Sequence, residues 1–351
     1  MTTYIAPSSS EGPIDFIHAN PMPLPTSILP SDSRQAQIQA LLSNQDLGAP
    51  AVFPGWPGTG IMSPGFVGAP AASEGGIAPQ DYGTNNHPFS TAKADLSSGG
   101  VTPTNTYFPY RPAGKLFFNM GSATYICSAS LIKRGVAVTA AHCVANFGQK
   151  QFYTNWQFIP GYRNGAAPYG TYTVARASLL SSYYNGTDSC YQSGVICTND
   201  VAVLVLNTNP SGAYPGNSTG WFGYATGGYG FVNNQTQITQ LGYPAGLDNG
   251  VYMERNDSSG FKNTTYSNNT IIGSNMDGGS SGGPWIVNFG IAPTLTGETN
   301  GSAPNRNIVV GVTSWGYTST AVKEEGASAF TSTNITTLVN GACTAIPAAC
   351  S

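Results

Sequence analysis

Three segments of this sequence hold residue types that, brought together, do nucleophilic chemistry. The chain has three histidines, His18, His87 and His142. The first two lie in a Pro/Gly-rich front. His142 alone lies in the β-rich body, in GVAVTAAHCV (135–144), so proton transfer through an imidazole in that body falls to it. The second segment is MDGGSSGGPW (276–285). Glycines around Ser281 let the backbone approach a substrate carbonyl, and successive amides around it can converge on an oxyanion. The third is TNDVAVLVL (198–206), where Asp200 heads an apolar run. A carboxylate there is part-buried and needs a donor, and an imidazole is a fitting one. Asp188, in the polar loop NGTDSC, is the weaker alternative. Each segment alone has a bland reading: a structural histidine, a flexible Gly/Ser loop, a strand-start aspartate. The order His142, Asp200, Ser281, spaced by 58 and 81 residues, favours a shared site. GSSGG (279–283) also matches the nucleophile elbow of α/β-hydrolases, but that arrangement needs a histidine after the serine, and none follows Ser281.

The elements that must position these groups are short strands. KLFF (115–118), TYICSASLI (124–132), FYTNWQF (152–158), GTYTVA (170–175), VAVLVL (201–206), TQITQL (236–241) and NIVVGVTSW (307–315) are rich in β-branched and aromatic residues and bounded by turn signals. This is an all-β pattern. One late helix is expected at about 332–342, with Asn334 a candidate cap. The first hundred residues differ. They carry 13 of the 25 prolines, two basic and seven acidic residues, and one helix candidate at 34–45. Residues 1–80 read either as a surface arm or as a pro-segment removed or displaced on activation. Residues 81–351 form the chemical domain.

Composition narrows the partners. Of 351 residues, 8% are charged and 40% apolar, and the net charge is −3. No basic run offers a phosphate-binding surface, so nucleic acid is not expected, and no apolar stretch is long enough for a membrane helix. Six cysteines fall as near pairs, Cys127/Cys143, Cys190/Cys197 and Cys343/Cys350. Six allow fifteen connectivities; local pairing is the simplest, and an even count favours disulfides and an oxidising compartment. No CxxC occurs and histidine is scarce, so neither a metal nor another cofactor is expected. A carbohydrate- or surface-binding β-protein would suit the many Tyr and Asn residues, but it gives no reason for His142, Asp200 and Ser281 to meet.

TAAHC, ND-V-AVL and GGSSGGP resemble the three catalytic segments of the chymotrypsin/trypsin-like serine endopeptidases, over about 110–340. LGYPAG (241–246), YMERN (252–256) and the glycines before the serine are most similar to the V8-like (glutamyl endopeptidase) branch. The resemblance implies two packed six-stranded antiparallel β-barrels, at about 108–217 and 218–340, with a C-terminal helix. It implies His142 as general base, Asp200 as its orienting partner, Ser281 as nucleophile, and the amides of Gly279 and Ser281 as oxyanion hole. It implies that VVGVTSWG (309–316) pairs with substrate backbone, so that Asn275, Ser314, Trp315 and Gly316 line the substrate strand and pocket, and that Cys127 and Cys143 staple the histidine loop. A secreted monomeric zymogen acting on proteins or peptides is the expected whole. The alternative is a catalytically silent homologue that binds proteins.

Two departures shape that expectation. Ser280 stands where the trypsin-type pattern has an aspartate that pairs with a freed N-terminus, so activation by that ion pair is not expected. Asn275 stands where trypsin-like members carry a pocket carboxylate, and Ser314 where glutamyl-specific members carry a histidine. The first argues against strong Arg/Lys preference, the second against glutamyl preference.

Overall fold

Two rings of six antiparallel strands hold most of the apolar side chains. The structure, a computed structural model, describes residues 2–7, 12–27, 51–69, 81–83, 87–94, 103–188, 199–263, 269–290, 303–317 and 322–351. The first ring comprises β1 (Ala113–Met120), β2 (Ala123–Lys133), β3 (Val136–Thr139), β4 (Thr154–Pro160), β5 (Tyr172–Leu180) and β6 (Ala202–Leu206). They pair in the order β1-β2-β3-β6-β5-β4, and β4 closes onto β1. The second comprises β7 (Gln235–Gly242), β8 (Glu254–Asn263), β9 (Asn269–Gly273), β10 (Pro284–Val287), β11 (Ile308–Tyr317) and β12 (Glu324–Ala329). It repeats the order, β7-β8-β9-β12-β11-β10, and closes β10 onto β7. Closure leaves no ring strand with an unpaired edge. The expected pair of six-stranded barrels is present.

The apolar runs explain the first barrel. Leu116, Leu131, Val138, Phe158 and Val203 are fully buried. AVLVL of β6 is buried at every position, because one side faces the barrel interior and the other is covered by packed elements. Part of that cover is α1 (Ile335–Ala345), whose Ile335, Leu338, Val339 and Ala342 are buried at helical spacing. Asn334 caps α1, its side chain accepting from the Ile335 amide, and the helix runs three residues past the end read from sequence. Among the described residues no helix is long and apolar enough to cross a membrane.

The front of the chain lies against both barrels rather than apart from them. Thr3–Ile5 adds antiparallel to β5, and Asn20–Pro21 adds parallel to β2. Thr26–Ser27 adds parallel to β11. Val52–Phe53 pairs with Gly223–Ala225, a short strand beside β11, and His87–Lys93 pairs with β8. Proline spacing keeps these segments extended, so they pair in short pieces of two to seven residues. The helix candidate at 34–45 lies outside the described residues.

Leu204 sits in the first barrel with no exposed surface, whereas Ile61 is 69% exposed. Leu204→Ala is therefore expected to lower unfolding free energy by about 2–5 kcal/mol, and Ile61→Ala by less than about 0.5 kcal/mol, read from urea unfolding.

Candidate active site

The site is assembled from strand ends and the loops that leave them. His142 lies in a single helical turn, Ala141–Cys143, directly after β3. Asp200 lies just before β6, the neighbour of β3. This adjacency brings together two residues 58 apart in sequence. The His142 amide donates to Asp200 Oδ1 at 2.9 Å, and His142 Nδ1 donates to Asp200 Oδ2 at 2.8 Å. Asp188 does not compete, since its carboxylate accepts from Asn199 Nδ2 at 2.8 Å. A third donor comes from the second barrel, Ser314 Oγ to Asp200 Oδ2 at 2.6 Å. The β11–β12 register shifts between Thr313 and Trp315, so Ser314 sits at a β-bulge, and the bulge re-aims its hydroxyl. Asp200 has no exposed surface, and three donors, two of them on His142, make its burial tolerable.

Ser281 occupies the tight turn before β10. Its carbonyl accepts from the Ser128 amide at 2.7 Å, and the next amide, Gly282 N, donates to Thr313 O at 2.8 Å. Ser281 is thus pinned to β2 on one side and to the strand of Ser314 on the other. Gly282 has φ +78°, and a Cβ there would strike Thr139 Oγ1, two residues before Ala141. Ser281 Oγ and His142 Nε2 are both buried, and neither has a hydrogen-bond partner among the described residues. Buried polar atoms are rarely left so. These are the two atoms between which a proton would pass in acyl transfer.

Gly279 provides the outward-facing amide. Its φ of +96° favours glycine, and a Cβ would lie 2.5 Å from Tyr243 O. The Gly279 carbonyl accepts from Ser128 Oγ at 2.9 Å, and the Tyr243 amide donates to the same hydroxyl at 3.0 Å. The Gly279 amide donates to Met22 O at 3.0 Å, so it already holds a peptide carbonyl. Ser128 carries no sequence signal beyond following Cys127, and its role in fixing this loop comes from the structure.

Beside this turn lies a cavity of about 590 Å³. Asn275, Asp277, Gly316, Lys323 and Glu325 line it, with Leu24 from the front. Asn275 is among them, with its Oδ1 accepting from Thr91 Oγ1 at 2.7 Å. Gly316 also lines it. Trp315 does not: alternation along β11 turns its ring away, into a buried contact with Gly326, and Ser314 is likewise spent on Asp200 rather than on the cavity. The sequence likeness turns Asp277 away from the pocket, and Glu325 carries no signal there. Glu325 has 2% of its surface exposed and accepts from Gln240 Nε2 at 2.5 Å. Burial pushes its carboxyl up to about 8, with the Asp277 charge adding in the same direction. His87, assigned by sequence to the front, is buried here too, with Nδ1 3.0 Å from Oε1 of Glu324, another cavity-lining residue.

Cys127–Cys143 and Cys343–Cys350 are disulfides, the first immediately beside His142 and the second at the end of α1. Cys127, Cys143 and His142 cluster closely, but both sulfurs are consumed in the bridge and leave no thiolate for a metal. Cys190 and Cys197 lie outside the described residues.

A family model described as trypsin matches residues 98–338. The chain belongs to the trypsin family. Among solved structures this trypsin-family chain is similar to the protease Anisep from Arthrobacter nicotinovorans, at 26% identity and a TM-score of 0.51, over 67% of this chain and 96% of that one. It shares its fold with the thermostable serine protease AL20 from an extremophilic microorganism, at 24% identity and a TM-score of 0.51, over 67% of this chain and 97% of that one. A curated relative, an extracellular metalloprotease of Bacillus subtilis (strain 168), is 31% identical over 126 residues, 35% of this chain. The match spans about a third (36%) of that relative's length.

The buried carboxyls set a pH dependence of stability. Burial also pushes Glu254 up to about 8, helped by the nearby Asp248. Both glutamates start from 4.5, so between about 4.5 and 8 the folded chain holds more protons than the unfolded one. Stability therefore falls as pH rises through that window, by about 1.4 kcal/mol per pH unit per group. Buried Lys115, lowered to about 7, acts oppositely, but only above about pH 7. Urea midpoints should be higher at pH 5 than at pH 7, and Glu325→Gln should roughly halve the difference.

Proposed function

We propose that this chain is a secreted serine endopeptidase that cuts polypeptides through an acyl-enzyme. Ser281 Oγ attacks the scissile carbonyl while His142 Nε2 takes its proton. The carbonyl π electrons move onto oxygen, and the amides of Gly279 and Ser281 hold that oxyanion. The C–N bond then breaks as His142 returns the proton to the leaving nitrogen. Water repeats the sequence on the ester, releases the acid and restores Ser281. Asp200 keeps Nδ1 protonated and stabilises the imidazolium, and Ser314 keeps the Asp200 carboxylate in place.

One observation carries the reading. Among the described residues His142 Nε2 and Ser281 Oγ are buried without a hydrogen-bond partner, while the Asp200 carboxylate behind the imidazole accepts from three donors. A binding module has no need to leave a base and a hydroxyl unpaired. Disulfides beside the imidazole and at the last helix support an oxidising, extracellular setting. On this reading residues 1–80 are a pro-segment of the enzyme in 81–351. The V8-like sequence likeness extends to the branch but not to its glutamyl preference, because Ser314 is committed to Asp200.

A phosphonofluoridate should add to the folded full chain and not to Ser281→Ala, by intact mass. The adduct is irreversible, so it accumulates even where access is transient. A folded chain that never gains it contradicts the proposal. Asp200→Asn should lower kcat by on the order of 10⁴ with the fold intact. Ser314→Ala should lower it by only about tenfold, since two donors to Asp200 remain.

A further inference from the structure

We propose that residues 20–27 are a built-in inhibitor, a strap that lies along the active-site cleft in the direction parallel to β11 and must leave before a substrate can enter. This deepens the endopeptidase reading and rests on it for what is inhibited, though not for where the strap lies.

The strap touches each part of the site in turn. It enters beside β2, where Asn20 and Pro21 pair parallel with Tyr125 and Ile126 and the Met22 amide donates to Ile126 O at 2.9 Å. Ile126 immediately precedes the Cys127–Cys143 bridge that flanks His142. The Met22 carbonyl then takes the Gly279 amide, two residues before Ser281, at 3.0 Å. Pro21, Pro23 and Leu24 line the 590 Å³ cavity. The Pro25 carbonyl accepts from the Gly316 amide at 3.0 Å, and Thr26–Ser27 continues parallel to Gly316–Tyr317. Leu24 Cδ1 approaches within 3.4 Å of where a Cβ on Gly316 would stand. The oxyanion amide, the cavity and the strand expected to pair with substrate are thus engaged by one run of eight residues.

Direction explains how the strap survives beside a nucleophile. Its Met22 carbonyl takes the amide of Gly279, the donor assigned to a scissile carbonyl's oxygen, but the peptide bond on that carbonyl leads to Pro23, towards the cavity and Gly316. The acyl side, Asn20–Pro21, lies by β2 and the histidine loop. A substrate whose acyl side runs along β11 presents the opposite order, with its leaving nitrogen on the histidine side. The strap therefore offers an oxygen to the oxyanion donor while its leaving nitrogen points away from the proton source. Prolines at 21, 23 and 25 hold it extended before it binds, which lowers the entropy lost on docking. Upstream, Phe16 packs edge-on against Phe117, Ile14 is buried and the Asp15 amide donates to Thr124 Oγ1 at 3.0 Å. Such anchors keep the strap at an effective concentration on the order of 1 mM, so an intrinsic Kd near 0.1 mM would slow turnover about tenfold.

The test separates occupancy from activity. Leu24→Asp replaces a part-buried apolar side chain of the cavity wall with a carboxylate, and Met22→Gly removes a buried anchor by a second route. In the Ser281→Ala background, a fluorescein-labelled peptide of residues 12–27 should bind saturably to chains carrying either strap substitution. It should bind the strap-intact chain about tenfold more weakly, by fluorescence anisotropy. With Ser281 present, either substitution should raise kcat/KM on a peptide substrate about tenfold. Equal binding to strap-intact and strap-weakened chains, or no binding to any up to 1 mM peptide, overturns the proposal, as does wild-type turnover equal to both variants. If the binding arms hold and no chain hydrolyses peptide, the strap stands as the occupant of the cleft and the endopeptidase reading is what fails.

Discussion

The Asp200 carboxylate is the constraint on which the site depends. A carboxylate without solvent exposure costs several kcal/mol unless donors replace water. Here they come from both halves of the molecule. The backbone and imidazole of His142 approach from the first barrel and Ser314 from the second. Satisfying the charge therefore fixes the imidazole's orientation and joins the barrels at one point. The Cys127–Cys143 bridge and the Ser128 contacts to Gly279 and Ser281 then hold the serine turn to the same strand that borders the histidine loop.

The second barrel uses polar chemistry inside its wall where the first uses apolar packing. Gln240 Nε2 donates to Thr313 Oγ1 and to Glu325, and Asn256 Nδ2 donates to Gly273 O. Trp285 Nε1 donates to Thr313 Oγ1, and Thr91 reaches Asn256 from the strand His87–Lys93. Each group is supplied by a different strand. The interior network thus couples the floor of the cavity to the front of the chain, and desolvation raises the carboxyls of Glu325 and Asp277.

This difference explains what was legible in the sequence. Runs such as VAVLVL mark their strands because apolar burial writes a simple pattern. ERNDSSGFKN, which is β8, carries no such pattern, because its inward residues are Asn256 and Ser258, buried through hydrogen bonds that only the assembled barrel supplies. His142, Asp200 and Ser281 stood out through residue type, order and flanking glycines, and the structure places the first two in direct contact. Ser314 was read as part of the substrate strand, since a bulge that re-aims one hydroxyl leaves no trace in composition. Trp315 was placed in the pocket as part of that strand, whereas alternation along it turns the ring against Gly326. Glu325 and His87 were missed as cavity neighbours because their closeness arises from pairings across 85 and 237 positions in the chain. The front segment read as either an arm or a pro-segment with no strand in it, because two-residue pairings between prolines fall below any periodicity.

The most direct test of the central constraint is the imidazole proton itself. Proton NMR of the Ser281→Ala chain in water should show a strongly downfield, exchange-protected Nδ1–H resonance of His142, and Asp200→Asn should abolish it. A His142 ring with no such resonance, or one unchanged in Asp200→Asn, would mean that the carboxylate does not hold the imidazole and that the site is not assembled as described.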